Sequence, residues 1–530
     1  MTKKLKTPGV YIQELDAFGN AVVPVPTAVP VFIGYTEQTE KDGENLVLLP
    51  KKMNSLAAFK YVYEEQDDTA PPHPTFAIST TQPPHLPDDI SKFHFENTDY
   101  YLQPSTPQFR LHSAVRHFYL NGGGSCFIVS VGICNGAIDK ADLIAGIDAI
   151  ETLSEASLVV VPDAVTLSSG TLNDSLENRY AAAYDVQNYV INHCGTLRNR
   201  FAILDIPGGY SDTLVQLTSI DAFRNRIQST DPKYMEYAAA YYPWLHTSLY
   251  SSNDISPIRF AAESHALLAS LLQHELQQVP SNLDANGELK PNIKNSLSYF
   301  SKTSNTAIDA LDPTTVHATL MYMSPLYNRI IDTLLKQINL LPPSAAMAGL
   351  YGVVDTNYGV WKAPANIGVQ GVIAPTLAID TTTQEDLNVP LSGKAICAIR
   401  RFAGRGNLVW GARTLDGNSN DYRYINVRRT IIFIEQSIQG ALKNYVNAPN
   451  NAATWTNLKS VIGNFLTSLW KQGGLMGLKP DEAFSVAVGL GSTMTHDDIQ
   501  IGILRISVHV AVLRPAEFIV LIFQQQLQTN

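Results

Sequence analysis

Residues Arg505–Phe523 read RISVHVAVLRPAEFIVLIF, a long β-prone run near the C-terminal end. It is rich in β-branched and aromatic residues and reads as strand rather than helix. Ile506, Val508, Val510 and Val512 alternate onto one apolar face. Phe518, Val520 and Ile522 supply another. Pro515 interrupts the ladder, so two strand segments joined by a bend are expected. Near the other end, TPGVYIQEL (Thr7–Leu15) opens on a Pro-Gly turn and is also strand-like. Pro8-Gly9 and Gly19-Asn20 provide hinge points. An extended segment lacking a local partner tends to pair with an exposed sheet edge, often on another molecule. Both ends therefore point toward assembly rather than catalysis.

The chain has 530 residues, enough for several domains. Apolar residues make up 45% and charged residues 16%, a low charge content that suits extensive burial, including burial against copies of itself. A net charge of −10 argues against general affinity for nucleic acid or anionic membrane. Four cysteines (Cys126, Cys134, Cys194, Cys397) without CxxC spacing suggest no disulfide framework and a reducing compartment of synthesis. The basic start MTKKLK is followed by no apolar core, so no signal peptide is expected. The apolar stretch Ala21–Gly34 carries Pro24, Pro26 and Pro30, and no run reaches the length of a membrane-spanning helix.

Residues 1–22 read as an extended arm, and Val29–Tyr35 (VPVFIGY) as a short buried strand. Residues 36–107 are proline-rich (Pro71, Pro72, Pro74, Pro83, Pro84, Pro87, Pro104, Pro107) and predict surface loops rather than core. From Gln108 strands alternate with helices: CFIVSVGI (Cys126–Ile133), SLVVVPDA (Ser157–Ala164) and FAILDIP (Phe201–Pro207). This implies a mainly parallel sheet covered on both faces. Residues 209–340 mix helices and loops. From about Ile367 the pattern changes. Strands are predicted at Val369–Ala378 and Ala395–Phe402. Two amphipathic helices follow, on Val427, Ile431, Ile434, Ile438, Leu442 and Val446 and on Trp455, Leu458, Ile462, Phe465, Leu466, Leu469. Strands then come at Phe484–Val488 and Ile503–Val512.

Several constellations invite a chemical reading. NGGGS (Asn121–Ser125) follows a helix and precedes a strand, the reverse of a phosphate cradle, and reads as a helix end. Asp163 and Asp205 sit at the carboxyl ends of predicted parallel strands, with His193 and Cys194 one helix away. This is the enzyme alternative, an α/β hydrolase-like site, although such carboxylates commonly cap helices or turns. His112 and His117 stand five positions apart, which does not place both on one helix face for a metal. No cofactor or metal is expected. Between Lys394 and Arg429 a basic segment holds Arg400, Arg401, Arg405, Arg413, Arg423, Arg428 and Arg429 against Asp416 and Asp421. It reads as a solvated face or ion pairs within the same fold, or as inter-subunit contacts, for which the planar guanidinium is well suited. Nucleic-acid binding is a third reading, opposed by slight aromatic interleaving and the acidic chain.

Collinear motifs then carry a resemblance: TPGVYIQEL (Thr7–Leu15), PTAVPVFIGYT (Pro26–Thr36), VRHFYLNGGG (Val115–Gly124), RFAILDIP (Arg200–Pro207), AAAYYPWL (Ala238–Leu245), GVWKAPAN (Gly359–Asn366), IRRFAGRGNLVWGARTL (Ile399–Leu415), YINVRRTIIFIEQSI (Tyr424–Ile438) and RPAEFIVLIF (Arg514–Phe523). Together they resemble the tail sheath proteins of contractile phage tails and extracellular contractile injection systems. The resemblance is thinnest over 36–107 and 209–340, where such proteins carry variable, outward-facing insertions.

The resemblance implies a subunit that polymerises around an inner tube in a metastable extended state and then contracts. It implies no enzymatic activity. The fold expected is α/β and α+β multidomain. It has an N-terminal β-arm at 1–22, an outer α/β domain at 23–365 with the insertion at 36–107, a C-terminal core at 366–505 completed by both termini, and a C-terminal strand and arm at 506–530. The arms, with Val10, Tyr11, Ile12, Phe518, Ile519, Val520, Leu521, Ile522 and Phe523, would join sheets in neighbouring copies. Arg400, Arg401, Arg405 and Arg413, with Trp470 and Lys471 at the end of the second helix, are the candidate contacts to other subunits or to the tube. Trp361, Trp410, Trp455 and Trp470 suit surfaces that repack. Implied partners are copies of the chain itself, an inner tube protein, baseplate and tail-terminator proteins, and sister sheath chains where a particle carries them. Neither nucleic acid nor membrane insertion is implied. The chain would be made in the cytoplasm and work in a phage tail or in a released or cell-associated injection particle. A non-contractile capsid-like scaffold is the structural alternative.

Overall fold

A computed structural model describes residues 21–64, 74–83, 88–168, 174–211, 218–301, 312–518 and 520. Val10, Tyr11 and Ile12, and likewise Ile519 and Leu521–Phe523, lie outside the described residues. The described chain falls into two compact units: Pro26–Arg429 with the segment from Arg514, and Thr430–Leu513 with the segment up to Val25.

The larger unit is organised by strands β1 (Pro30–Thr36), β2 (Lys51–Met53), β3 (Cys126–Ile133), β4 (Leu158–Val160), β5 (Phe201–Asp205), β6 (Ala238–Tyr242), β7 (Ile367–Gly368), β8 (Cys397–Phe402) and β9 (Gly406–Val409). They form one nine-stranded sheet in the order β7-β9-β8-β6-β5-β4-β1-β3-β2. From β8 to β3 all pairings are parallel; β2 and the β9–β7 pair run antiparallel at the two edges. Continuous apolar runs produce this: β1, β4, β5 and β6 are buried at every position, as strands covered on both faces must be. Helix α1 (Leu111–Leu120) sets Phe118 edge-on to Phe32 of β1, with ring centroids 5.2 Å apart. Helix α2 (Ser344–Tyr358) lies against α1 through small buried residues Ala345, Ala346 and Ala348. A Cβ on Gly349 would come within 2.6 Å of the Phe118 carbonyl oxygen, so glycine permits the close approach.

The proline-rich stretch departs from the loop expectation. It contributes a helix (Leu56–Tyr63) burying Phe59 and Tyr63, and a three-stranded sheet from Phe76–Ser79, Lys92–Phe95 and Thr98–Pro104. Phe76, Ile78 and Leu102 share a second core with Leu268, Leu272, Ile330 and Leu334 from the helices Ala262–Gln277 and Pro325–Ile338. Pro74, Pro83, Pro104 and Pro107 fall outside or at the ends of these strands, where a missing N–H costs nothing.

The smaller unit holds most of α3 (Ile425–Leu442), then α4 (Ala452–Lys471), β10 (Phe484–Val488) and β11 (Ile506–Val510). Both helices follow the periodicity of their apolar residues, except that α3 ends at Leu442, and Val446, expected on its apolar face, lies beyond it and is exposed. The C-terminal domain boundary expected at 366 falls inside the larger unit, because β7, β8 and β9 extend the nine-stranded sheet.

The first turn of α3 carries Arg428 and Arg429, cations at the helix end that disfavours them. Buried carboxylates compensate. Arg428 Nη1 is 2.9 Å from Glu236 Oε1, with its guanidinium over the rings of Tyr237 and Tyr422. Arg429 Nη1 is 3.0 Å from Asp355 Oδ1, and its Nη2 donates to Thr27 O at 2.8 Å. Arg429→Ala should destabilise the larger unit by about 3–5 kcal/mol, since Asp355 is left buried and unneutralised. Lys52→Ala, which removes an exposed pair with Glu155, should cost less than about 1 kcal/mol. Urea unfolding of the two variants measures the contrast.

Candidate functional site: a two-stranded hairpin and a clamped tail

Helix α4 starts at Asn451, whose side chain accepts from Thr454 N–H at 3.1 Å. Its face of Leu458, Ile462, Phe465, Leu466 and Leu469 is buried. It ends at a left-handed Gly473, where Gly474 N–H donates to Leu469 O. β10 packs on this helix and pairs antiparallel with β11 in the register Phe484↔Val510, Val486↔Val508, Val488↔Ile506. Among the described residues the sheet they form has two strands. The connection between them carries a capping box, Thr495 with Asp498, and Asp498 also takes Arg505 at 3.0 Å. Ile506, Val508 and Val510 are partly exposed.

After β11 the chain returns to the larger unit as an extended segment, and Glu517 is clamped there. Arg413 Nε and Nη2 reach the two carboxylate oxygens at 2.9 and 2.6 Å. Tyr424 Oη donates at 2.9 Å and Asn388 Nδ2 at 2.7 Å. Burial would raise this carboxyl, but the hydrogen bonds from Arg413 and Asn388 and the Arg413 charge outweigh it and hold it below the ordinary range. Immediately beyond, Phe518 is 70% and Val520 80% exposed.

The basic segment divides by location. Arg413, expected among contacts to other molecules, is 3% exposed and committed to Glu517 and to Gly417 O inside its own chain. Arg428 and Arg429 are likewise used internally. Arg401 and Arg405 are exposed and Arg400 partly so, on the β8–β9 hairpin, whose tip turns at Gly404 and Gly406 with φ of 71° and 81°. The rings of Phe402 and Trp410 lie with centroids 4.5 Å apart and planes tilted by 49°, Arg400 lies 5.5 Å from the Phe402 ring, and Arg405 donates to Asn366 Oδ1 at 2.6 Å. Trp470 is half-buried and donates to Gly477 O, and Lys471 is exposed beside it. Glu517, Tyr424 and Asn388 were missed from the sequence. The one signal was a lone acid within an otherwise apolar run.

The carboxylates of the enzyme alternative cap helices. Asp163, fully buried, accepts from the backbone N–H of Tyr35 at 2.8 Å and of Arg110 and Leu111, capping the start of α1. Asp205 accepts from Ser344 N–H at 2.8 Å and from its hydroxyl, capping α2. Burial pushes these carboxyls up to about 6 and about 7. His193 is pushed down to about 4 by burial and by Arg200, and the buried Cys194 thiol is pushed up to about 12, which leaves it un-ionised at neutral pH. His112 engages Glu64 and Tyr250, whereas His117 engages Gln370 O, so the two share no partner. The glycines of NGGGS form the turn between α1 and β3. Among the described residues no group of three metal-ligating side chains is gathered, and no helix is long and apolar enough to cross a membrane.

Residues 418–526, covering α3, α4, the hairpin and the clamped segment, match the family model described as the phage tail sheath C-terminal domain. The tail sheath protein of Burkholderia phage BcepMu is 30% identical over 156 residues, 28% of this chain and 32% of that protein, so the match spans about a third of that relative. Two solved structures are similar along nearly the whole length. The PVC sheath complex of an extracellular contractile injection system, in its contracted state, is 25% identical with a TM-score of 0.58 over 99% of both chains. The helical sheath of the anti-feeding prophage, also contracted, is 26% identical with a TM-score of 0.57 over 98% of this chain and 100% of that one.

Asp163→Ala should lower stability by about 2–4 kcal/mol, because buried N–H groups lose their acceptor, and chemical unfolding reads the loss. The Glu517 pair gives a pH dependence of known sign. A depressed carboxyl contributes stability in full above its unfolded value, about 4.3, and loses it as pH falls through the lower folded value. The difference in melting temperature between the parent and Glu517→Gln should therefore be constant from pH 7 to about 5 and shrink below about pH 4.

Proposed function

We infer that this chain, a member of the contractile tail sheath family, is the structural subunit of a sheath that surrounds an inner tube, assembles extended and contracts to drive the tube through a target envelope. The observation that carries this reading is the two-stranded β10–β11 sheet, followed at once by a clamped tail and an exposed apolar run. A sheet of two strands is marginal without further partners. Strand addition from neighbouring copies supplies them.

In this reading the segment 1–22 and the run Phe518–Phe523 are the donated strands, with Val10, Tyr11, Ile12, Phe518, Ile519, Val520, Leu521, Ile522 and Phe523 at the pairing positions. The sheet at β10–β11 is the acceptor, completed by termini from other copies. The outer domain of the proposal is the part of the larger unit before residue 366, including the insertion at 36–107. Each backbone hydrogen bond contributes roughly 1 kcal/mol net whatever the side chains do. A link of several such bonds survives rearrangement of the bodies it joins. Arg400, Arg401 and Arg405 on the β8–β9 hairpin are proposed contacts between subunits. Trp470 and Lys471 are proposed to face the tube. Tube, baseplate and terminator proteins, and sister sheath chains where present, are the proposed partners.

Removal of residues 1–20 should leave a folded monomer that forms no sheath tubes, and truncation after Glu517 should do the same. Electron microscopy with size-exclusion chromatography reads both. Normal tubes from either truncation overturn strand donation. Native particles should show one hollow cylinder in two lengths, and a single length would favour a static scaffold.

A further inference from the structure

The run after Glu517 reads Phe518-Ile519-Val520-Leu521-Ile522-Phe523, apolar at every position. Register in a sheet is normally specified by alternation, because a slip of one residue turns the apolar face outward. Here a slip exchanges Phe518, Val520 and Ile522 for Ile519, Leu521 and Phe523, two sets of similar character. The run therefore does not specify its own register. Glu517 precedes it with no intervening residue, and its carboxylate is fixed by four hydrogen bonds of 2.6 to 2.9 Å, two of them from an arginine that is 3% exposed. A slip of one residue moves a strand by about 3.4 Å. Hydrogen bonds at these distances do not survive such a shift.

We propose that Glu517, held by Arg413, Tyr424 and Asn388, is a positioning residue that sets the register in which the tail enters the two-stranded sheet of a second copy. The proposal rests on the strand-donation reading. It adds that an anchor on the donor's body specifies the pairing, in place of a pattern within the strand. The anchor also gives the donated strand a fixed origin, so movement of the donor body is passed to the acceptor without slack.

The test uses the full chain assembled into tubes, with Val520→Cys combined in turn with a cysteine at each position of 484–488 and 506–510. The four native cysteines are buried. Disulfide-linked ladders on non-reducing gels report which positions meet between copies. With Glu517 present, one position should cross-link about tenfold better than those adjacent to it, equivalent to about 1.4 kcal/mol between registers. In Glu517→Ala the yields should spread until adjacent positions agree within about twofold. An unchanged single peak overturns the proposal. If Glu517→Ala fails to assemble, the pair Asn388→Ala with Tyr424→Phe removes two of the four bonds and leaves no charge unpaired. A broadened peak there supports the proposal and a sharp one refutes it. Absence of inter-copy cross-links in the parent would instead sink strand donation itself, so the two failures are distinguishable.

Discussion

Among the described residues the β10–β11 sheet has two strands, which leaves backbone donors and acceptors along its outer edges, and that deficit bears on what surrounds it. Helix α4 supplies the hairpin with an apolar floor through Leu458, Ile462, Phe465, Leu466 and Leu469. It does not supply hydrogen-bonding partners along the edges. Elsewhere the chain blunts its edges: β2, β7 and β9 close the nine-stranded sheet antiparallel, and β2 and β7 are very short. The contrast within one molecule is informative. Where pairing is to end, the strands are short; where it is proposed to continue, the strand is five residues of β-branched character followed by more of the same.

The arginines show how one composition signal separates into different physical roles. Arg413, Arg428 and Arg429 are buried and each meets a carboxylate distant in sequence: Glu517, Glu236 and Asp355. Such pairs add little net stability against an apolar alternative, because desolvation offsets the attraction. What they fix is geometry. Two of them hold the first turn of α3 at the point where the chain passes from one compact unit to the other, and the third holds the tail. Arg401 and Arg405 remain exposed on a hairpin where the Phe402 and Trp410 rings lie with centroids 4.5 Å apart. Arg405 is held by Asn366, and the weakly hydrated guanidinium of Arg401 suits contact with another molecule.

Much of the fold was legible because burial leaves a periodic trace. CFIVSVGI, SLVVVPDA and FAILDIP announced parallel strands, and VPVFIGY a short strand. The spacing of Val427, Ile431, Ile434 and Ile438 announced α3, and Phe484–Val488 appears with the bounds its pattern gave. Pattern reports which face of an element is covered, not what covers it. That is why the stretch 36–107 was read as loops: its prolines were counted, whereas Phe76 and Leu102 pack against helices some 200 residues onward, and Phe59 lies beside His112 of α1. The same limit hid the clamp. Arg413 and Glu517 are 104 positions apart, and nothing local in GARTL or RPAEF says that the two meet. Asp163 and Asp205 were correctly located at strand ends, but the helices they cap, α1 and α2, are not the ones that follow them in sequence.

A lattice that must change shape without coming apart needs two kinds of contact with different tolerance for motion. Side-chain surfaces are specific to one relative placement and exchange when bodies move. Backbone ladders depend on strand geometry alone and can be carried along. On the proposed reading this chain separates the two in sequence. The nine-stranded sheet and its helical lobe present side-chain surfaces, and the hairpin and termini present ladders. The junction between them is then the element under most demand, since force from a moving body reaches the ladder only through the segment that joins them. A buried, bidentate arginine–carboxylate pair with two further donors is a stiff joint of that kind, and its location one residue before the apolar run is where a joint transmits displacement with the least loss.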